Sequence, residues 1–456
     1  MLRSVIPLLL CAAAPAVLLA QQAELRSSDN FVISFASPAL NQIYRTVTGA
    51  FAVSNETGST VSLTAAGQMS LHNEAGSETA TLQLAFGGAR SDLRISTHSL
   101  RGSQPAEFAA PVDWALTTAL PYQLLGLSAF AVVVAGDVTV DMITMEQLAG
   151  IYAGNITNWS ELGGADQAIL PLQLPADASI RAELITLVMQ PANMAISSKI
   201  LMMADEVSIA ALVNQLPGSL SVISLDKAAD SNTVAVAGAC GVPVRPNAFN
   251  IISGDYPLVR PVMAAYDRAP NTALLTELFD YAMSDVAQNL LARDGFTNQQ
   301  AISQSGDDKN ARLSALLDAS SGDGDDAVSA EMFKLLSSGE RLSPTMVGGQ
   351  TSGPEGAWNR AMMLGLVDLV ATPALAGRAL FFVGLGASEN GDQDAIDVSL
   401  QAAFAVETAF RQFAADTVRQ NDLTLSSYGF GSSAPATCYE GQVAGPTQTR
   451  VEIWVR

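Results

Sequence analysis

Short apolar runs and helix-spaced apolar stripes alternate along residues 24–300. Runs rich in Val, Ile, Leu and Phe at 31–35, 91–95, 128–134, 169–174, 219–224 and 259–266 predict strands. The spacing between them predicts helices at 38–51, 145–152, 178–189, 207–214 and 272–291. In 145–152, Met145, Leu148, Ile151 and Tyr152 recur at three and four residues, which marks one face of a helix, and the run ends near Gly154. Strands alternating with helices indicate an α/β protein. From about 340 the alternation restarts on a smaller scale. Strands are predicted at 342–347, 380–384, 423–428 and 450–455, and helices at 354–370 and 398–414. This β-α-β-α-β-β order predicts a small α/β sandwich. Within 450–455, Val451, Ile453 and Val455 alternate with Glu452 and Trp454, the pattern of a half-buried strand. Between the two halves, residues 302–327 are polar, acidic and glycine-bearing, which predicts a linker with a short helix at 311–317.

The two ends and the charge narrow the function classes. Arg3 followed by the apolar run 5–19 and the small residue Ala20 before Gln21-Gln22 reads as an export signal over residues 1–20, cleaved after Ala20. The rest of the 456 residues is long enough for two to four domains. A formal charge of −21 argues against a nucleic-acid partner, whose phosphates call for a basic face. It does not oppose a small anion, because backbone N–H groups at helix N-termini bind anions without net positive charge. After signal removal only Cys240 and Cys438 remain, in different predicted domains, so a disulfide framework is not expected. His72 and His98 lack metal-ligand spacing. No nucleophile–base–orienter set is visible, so neither an enzyme nor a cofactor is expected.

Two stretches carry a specific resemblance. Residues 144–164 read TMEQLAGIYAGNITNWSELGG, a helix followed by the Asn158-Trp159 turn and the Gly163-Gly164 loop. Residues 250–261 read NIISGDYPLVRP, close to Ile-x-Ser-Gly-x-Tyr-Pro-Leu-x-Arg-Pro. With Arg293-Asp294-Gly295-Phe296, these stretches resemble PstS-like periplasmic phosphate-binding proteins, the solute-binding family of ABC transporters, over roughly residues 30–300. The resemblance implies a type II-like, two-lobed periplasmic binding protein over 24–300. It also implies phosphate or a related oxyanion as ligand and an ABC transporter permease as partner.

Three positions match the family's ligand turns. Ser37, followed by Pro38, caps the first predicted helix, with Ala36 where the family has glycine. Ser96 and Thr97 stand at a strand end as the family's ligand hydroxyls do. Ser179 and Arg181 open a helix where the family reads Ser-Gly-Thr, with Ala178 and Ser179 in place of Ser-Gly and Ile180 in place of Thr. Capping hydroxyls and N–H groups at helix starts, and the fork of a guanidinium, suit an oxyanion. The same residues also read as a helix cap, a strand-end turn and a solvated helix arginine.

After an acidic linker at 301–339, residues 340–456 resemble an OmpA-like domain, a βαβαββ module that grips peptidoglycan. The resemblance rests on Tyr428-Gly429-Phe430-Gly431-Ser432-Ser433-Ala434-Pro435 and on the final Arg450-Val451-Glu452-Ile453. The family's Asp and Arg, which clamp the diaminopimelate zwitterion, are replaced by Ala387 and Phe404. Arg450 remains as a candidate peptidoglycan contact. The sequence thus reads as an exported periplasmic receptor for an oxyanion, associated with the outer membrane or cell wall. The rival reading is a cell-envelope scaffold whose two domains have both lost their small-ligand chemistry.

Overall fold

The computed structural model describes the backbone of strand segments 23–27, 31–35, 60–63, 68–72, 78–86 and 93–97. It then describes residues 122–238, 242–266, 281–304, 306–320, 326–348, 353–386, 392–433 and 449–456. The export signal at 1–20, Ser37, the helix expected at 38–51 and Ala387 lie outside the described residues. The chain divides into two compact units, the first Met1–Thr97, Ala176–Ser179 and Val262–Asp294, the second His98–Pro175, Ile180–Pro261 and Gly295–Arg456.

In the first unit, β1 (Ala23–Ser27), β2 (Phe31–Phe35), β3 (Thr60–Leu63), β4 (Gln68–His72), β5 (Glu78–Phe86) and β6 (Leu93–Thr97) are laid side by side in the order β6-β2-β1-β5-β4-β3. The β3-β4-β5 run is an antiparallel meander and β2 is parallel to β6. The expected strands at 31–35 and 91–95 correspond to β2 and β6. Strands β1, β3, β4 and β5 were not anticipated, because their Ser, Thr, Gln and Glu residues dilute the apolar signal that marks a strand.

The second unit is built on β7 (Tyr122–Val134), which is buried from Leu124 onward apart from Ser128. After β7 come β8 (Met142–Thr144), helix α1 (Met145–Ala153), β9 (Leu170–Gln173) and α2 (Ser179–Leu184), the last of these beginning in the first unit. Then follow β10 (Leu201–Met202), α3 (Glu206–Val213), β11 (Ser219–Ser224), β12 (Asn232–Thr233), β13 (Ala235–Ala237), β14 (Pro243–Val244), α4 (Ala248–Ile252) and β15 (Val259–Tyr266). β11 and β12 pair with β7 antiparallel, β9 runs parallel to β11, and β10 parallel to β9. β13 lies between β8 and β14 in a small separate sheet. Past Pro261, β15 belongs to the first unit and runs antiparallel to β6. That unit also contains α5 (Asp285–Arg293), capped by the Ser284 hydroxyl.

The TMEQLAGIYAGNITNWSELGG stretch is architectural. Thr144 and Gln147 form a reciprocal capping box at the start of α1. The Asn158 side chain accepts from the Ser160 and Gln167 N–H groups and donates to Asp166, while Glu161 reaches back to the Asn158 N–H. Trp159 is buried, and its indole N–H donates to the Gly218 carbonyl at 2.9 Å. The Tyr152 hydroxyl donates to the Leu172 carbonyl and accepts from the Val222 N–H.

The C-terminal half consists of α6 (Gly306–Ser320), α7 (Asp326–Ser337), β16 (Glu340–Val347), α8 (Pro354–Val370), β17 (Ala379–Leu385), α9 (Asp392–Phe413), α10 (Ala415–Gln420), β18 (Thr424–Gly429) and β19 (Arg450–Val455). The sheet order is β16-β19-β17-β18, with only β17 and β18 parallel. Two expectations are corrected here. The acidic segment 301–339 is not a linker. Its helices α6 and α7 bring Leu313, Leu316, Met332 and Leu336 onto Phe381, Val383, Leu385, Phe430 and Trp454. β19 is not half-buried, since all six of its residues are buried. With α6 and α7 on the Trp454 face and α9 on the Phe382 face, where Phe410 meets Phe382, the sheet is covered on both sides. The approach of α9 is close enough that a Cβ on Gly384 would lie 1.8 Å from the Ser399 carbonyl oxygen, so only glycine fits there.

Replacing Asn158 with Ala removes the cap that orders the Trp159 turn. The expected outcome is a loss of about 1–2 kcal/mol in unfolding free energy, read by urea denaturation followed by tryptophan fluorescence. An unchanged midpoint would show that the turn is held by Trp159 burial alone.

Candidate functional site

The residues expected to meet a small anion divide between the units. Ser37 is outside the described residues. Ser96 and Thr97 end β6 and pair across to Met263 and Val262. Ser96, Thr97 and Ser179 belong to the first unit and Arg181 to the second. β9 is parallel to its neighbours, and the chain turns from its C-terminal end into α2, which Ser179 opens. In open α/β sheets ligands bind just beyond such strand ends, where helix N-termini present free N–H groups. Arg181 is half-buried and its Nη1 donates to the Leu174 carbonyl at 3.2 Å, so part of its fork is spent within the turn. Behind it, Glu183 of α2 pairs with Arg260 of the NIISGDYPLVRP stretch. Burial pushes the Arg260 guanidinium down to about 10, which leaves it charged at neutral pH.

The densest chemistry lies elsewhere in the second unit, among five buried charged side chains. Asp255, in the turn after α4, faces Arg341 of β16, Arg450 of β19 and Arg312 of α6. Its Oδ1 lies 3.2 Å from Arg341 Nη2 and 2.5 Å from Arg450 Nη2, its Oδ2 also accepts from Arg341 Nη1, and Arg312 Nε is 3.8 Å away. Glu452 of β19 takes the same three guanidinium groups, Arg312 at 2.5 Å, Arg450 at 2.7 Å and Arg341 at 3.2 Å. The Trp454 indole N–H donates to Glu452, and the Arg341 guanidinium lies over the Phe249 ring. Arg341 and Glu452 have side chains with no solvent exposure.

Burial by itself would raise both carboxyl groups. Arg341, Arg450 and Arg312 outweigh it for Asp255 and hold that carboxyl well below the ordinary range. The same three arginines, Arg312 first, lower Glu452. Burial pushes Arg312 down to about 10, far enough above neutral pH to keep it charged.

This arrangement relocates Arg450. Its side chain is 9% exposed and committed to Asp255 and Glu452, so it is an internal residue and not a surface contact for peptidoglycan. Phe404, on α9, is 62% exposed. A partial signal for the cluster lies in the sequence, where Arg341, Arg450 and Glu452 interrupt apolar strands. Asp255 stands at a variable position of its motif, so the motif carries no signal for it. Among the described residues there is no grouping of three or more His, Cys, Asp or Glu able to hold a metal, and no helix is long and apolar enough to cross a membrane.

The cluster sets an acid limit. Carboxylates whose folded pKa is depressed contribute stability that is complete above their unfolded values of about 4 and is lost as pH falls toward the folded values. Thermal unfolding of the intact chain is therefore expected to hold steady from pH 7 to about 5 and to decline below about 4. Glu452→Gln should lower the plateau and flatten that decline. A variant whose acid profile parallels the parent's would remove Glu452 from the account.

Comparison with known proteins bears on residues 36–286, which match the model of a PBP superfamily domain. The phosphate-binding protein PstS of Bacillus subtilis (strain 168) is 24% identical over 216 residues, which are 47% of this chain and 70% of that protein. Among solved structures, an ABC-type phosphate transport receptor from Vibrio cholerae shows 25% identity, covering 45% of this chain and 79% of its own, with a TM-score of 0.36. PstS from Borrelia burgdorferi shows 16% identity, covering 58% of this chain and 97% of its own, with a TM-score of 0.42.

Proposed function

The chain belongs to the PBP superfamily through residues 36–286, and we propose that it is an exported, non-catalytic receptor that captures phosphate or a related oxyanion and delivers it to an ABC transporter permease. The observation that carries this reading is the family match itself, whose span takes in Ser37, Ser96, Thr97, Ser179 and Arg181. The name of the Bacillus relative supports phosphate as the ligand class. In this reading residues 24–300 are a two-lobed binding protein, and the candidate ligand groups are the hydroxyls of Ser37, Ser96, Thr97 and Ser179 and the Arg181 guanidinium. Residues 340–456 are an OmpA-like domain of the cell envelope.

Calorimetric titration of the mature protein with phosphate at low salt tests the capture. Binding heat is expected, and Arg181→Ala should weaken affinity about tenfold or more, since a hydrogen bond to a charged group contributes roughly 1.5–3 kcal/mol. Absence of heat with phosphate, sulfate and related oxyanions would favour the rival reading, an envelope scaffold without a small ligand. That rival draws on the engagement of Arg181 with the Leu174 carbonyl and on the Ala178-Ser179-Ile180 sequence of the turn.

Attachment to the cell wall is expected to be absent. An ammonium group at the usual diaminopimelate position would lack its carboxylate at Ala387, and the ligand carboxylate would meet the Phe404 ring. Leaving a charge unpaired in that way is costly. The intact protein should remain in the supernatant when purified peptidoglycan is sedimented, and clear co-sedimentation would overturn this expectation.

A further inference from the structure

The C-terminal half meets the rest of the second unit along two separate surfaces. One is charged. Asp255 lies in the NIISGDYPLVRP turn, and the three guanidinium groups that grip it come from α6, β16 and β19. Phe249 of α4 lies 5.3 Å beneath the Arg341 guanidinium and extends the same contact. The other surface is apolar. α8 packs against β7, while Leu127 pairs with Thr297 and the Gln299 side chain donates to the Leu124 carbonyl. β7 is almost wholly buried, and α8 supplies part of its cover.

We infer that residues 295–456 are an obligatory part of the second unit, seated in cis on a docking surface made of Asp255, Phe249 and one face of β7. They are not a tethered module that folds and moves by itself. Each surface requires the other half of the chain. Without the C-terminal half, Asp255 would lose all three of its guanidinium partners and β7 would turn apolar side chains to water. Without Asp255, three buried guanidinium groups would share Glu452 alone among the described carboxylates. The 302–304 segment adds a hydrogen-bonded brace along β16. Gln304 donates to the Arg341 carbonyl and Ser343 to the Ile302 carbonyl, both at 2.8 Å, so the chain entering the C-terminal half also covers the free edge of β16. An obligatory seat of this kind predicts one cooperative opening that includes β7 and β19 together.

Hydrogen exchange of the full chain, read by mass spectrometry, tests this without any ligand and so independently of the anion-binding reading. In the parent protein the amides of 130–134 and 450–455 should exchange through a common opening. Asp255→Ala should accelerate both sets in parallel by about two orders of magnitude, as expected when one partner of a buried ionic group is removed. Arg312→Gln, at the cluster's most exposed member, is a milder variant and should accelerate both sets by about tenfold. Two results would overturn the inference. One is a parent protein in which 450–455 opens at lower free energy than 130–134. The other is a variant that loosens 250–256 and leaves β19 protection intact.

Discussion

Three guanidinium groups and two carboxylates held out of water govern the architecture of the second unit. Removing such ions from solvent costs several kcal/mol each, and their mutual attraction offsets that only when nearly every donor and acceptor is matched. The two carboxylates meet their part of this demand by sharing, while Arg312 Nη1 is buried without a hydrogen-bond partner. Asp255 and Glu452 each face all three arginines, so no carboxylate depends on a single partner. Arginine is suited to this role because its planar fork addresses two carboxylates at once and remains charged even when burial depresses it, as at Arg312. The arrangement is also exacting. It fixes the relative positions of α6, β16, β19 and the turn after α4, four elements far apart in sequence.

The cluster lies within a C-terminal half whose sheet is buried on both faces. A four-stranded sheet with helices on one side only would leave the Phe381, Val383 and Trp454 face to solvent. α6 and α7 close that face with Leu313, Leu316, Met332 and Leu336. Once it is closed, Arg341, Arg450 and Glu452 are trapped on its inner side, because they alternate with Val451 and Ile453 and share the face of Trp454. Burial of apolar surface and pairing of charge therefore depend on each other here. The helices exclude water from the ions, and Arg312, carried by α6, ties that helix back to the strands.

The sequence pattern revealed the elements more readily than their surroundings. The helix at 354–370 and the strands at 31–35, 219–224, 259–266 and 450–455 have the bounds that periodicity predicts. The 178–189 helix proved to be α2 followed by a π turn over Ile185–Met189, a distinction apolar spacing does not carry. Two misreadings share a cause. Residues 301–339 looked like a linker because Asp, Ser and Gly dominate them, although Leu313, Leu316, Met332 and Leu336 supply a narrow apolar stripe. β19 looked half-buried because Glu452 is charged. A binary pattern records polarity, not solvent contact, so it cannot distinguish a solvated carboxylate from one surrounded by arginines. The candidate anion residues were legible only as turn chemistry. Ser179 and Arg181 do open a helix at a parallel strand end, but which groups converge on a ligand depends on long-range placement that local spacing does not encode.

The turn after α4 shows how one short motif can serve both halves of the chain. Gly254 adopts a left-handed conformation, φ 72°, which reverses the chain so that successive side chains leave in different directions. Tyr256 is fully buried, with its N–H on the Asn250 carbonyl, and anchors the turn within the second unit. Asp255, one residue earlier, enters the arginine cluster of the C-terminal half. The Tyr256 anchor fixes where the Asp255 carboxylate stands, and the cluster in turn resists any shift of Tyr256. In this way a family turn acquires a second role through one side chain, at the position its motif leaves open. The frame that places the strand end before Arg181 and the seat that holds the C-terminal sheet are thus joined through a pair of adjacent residues.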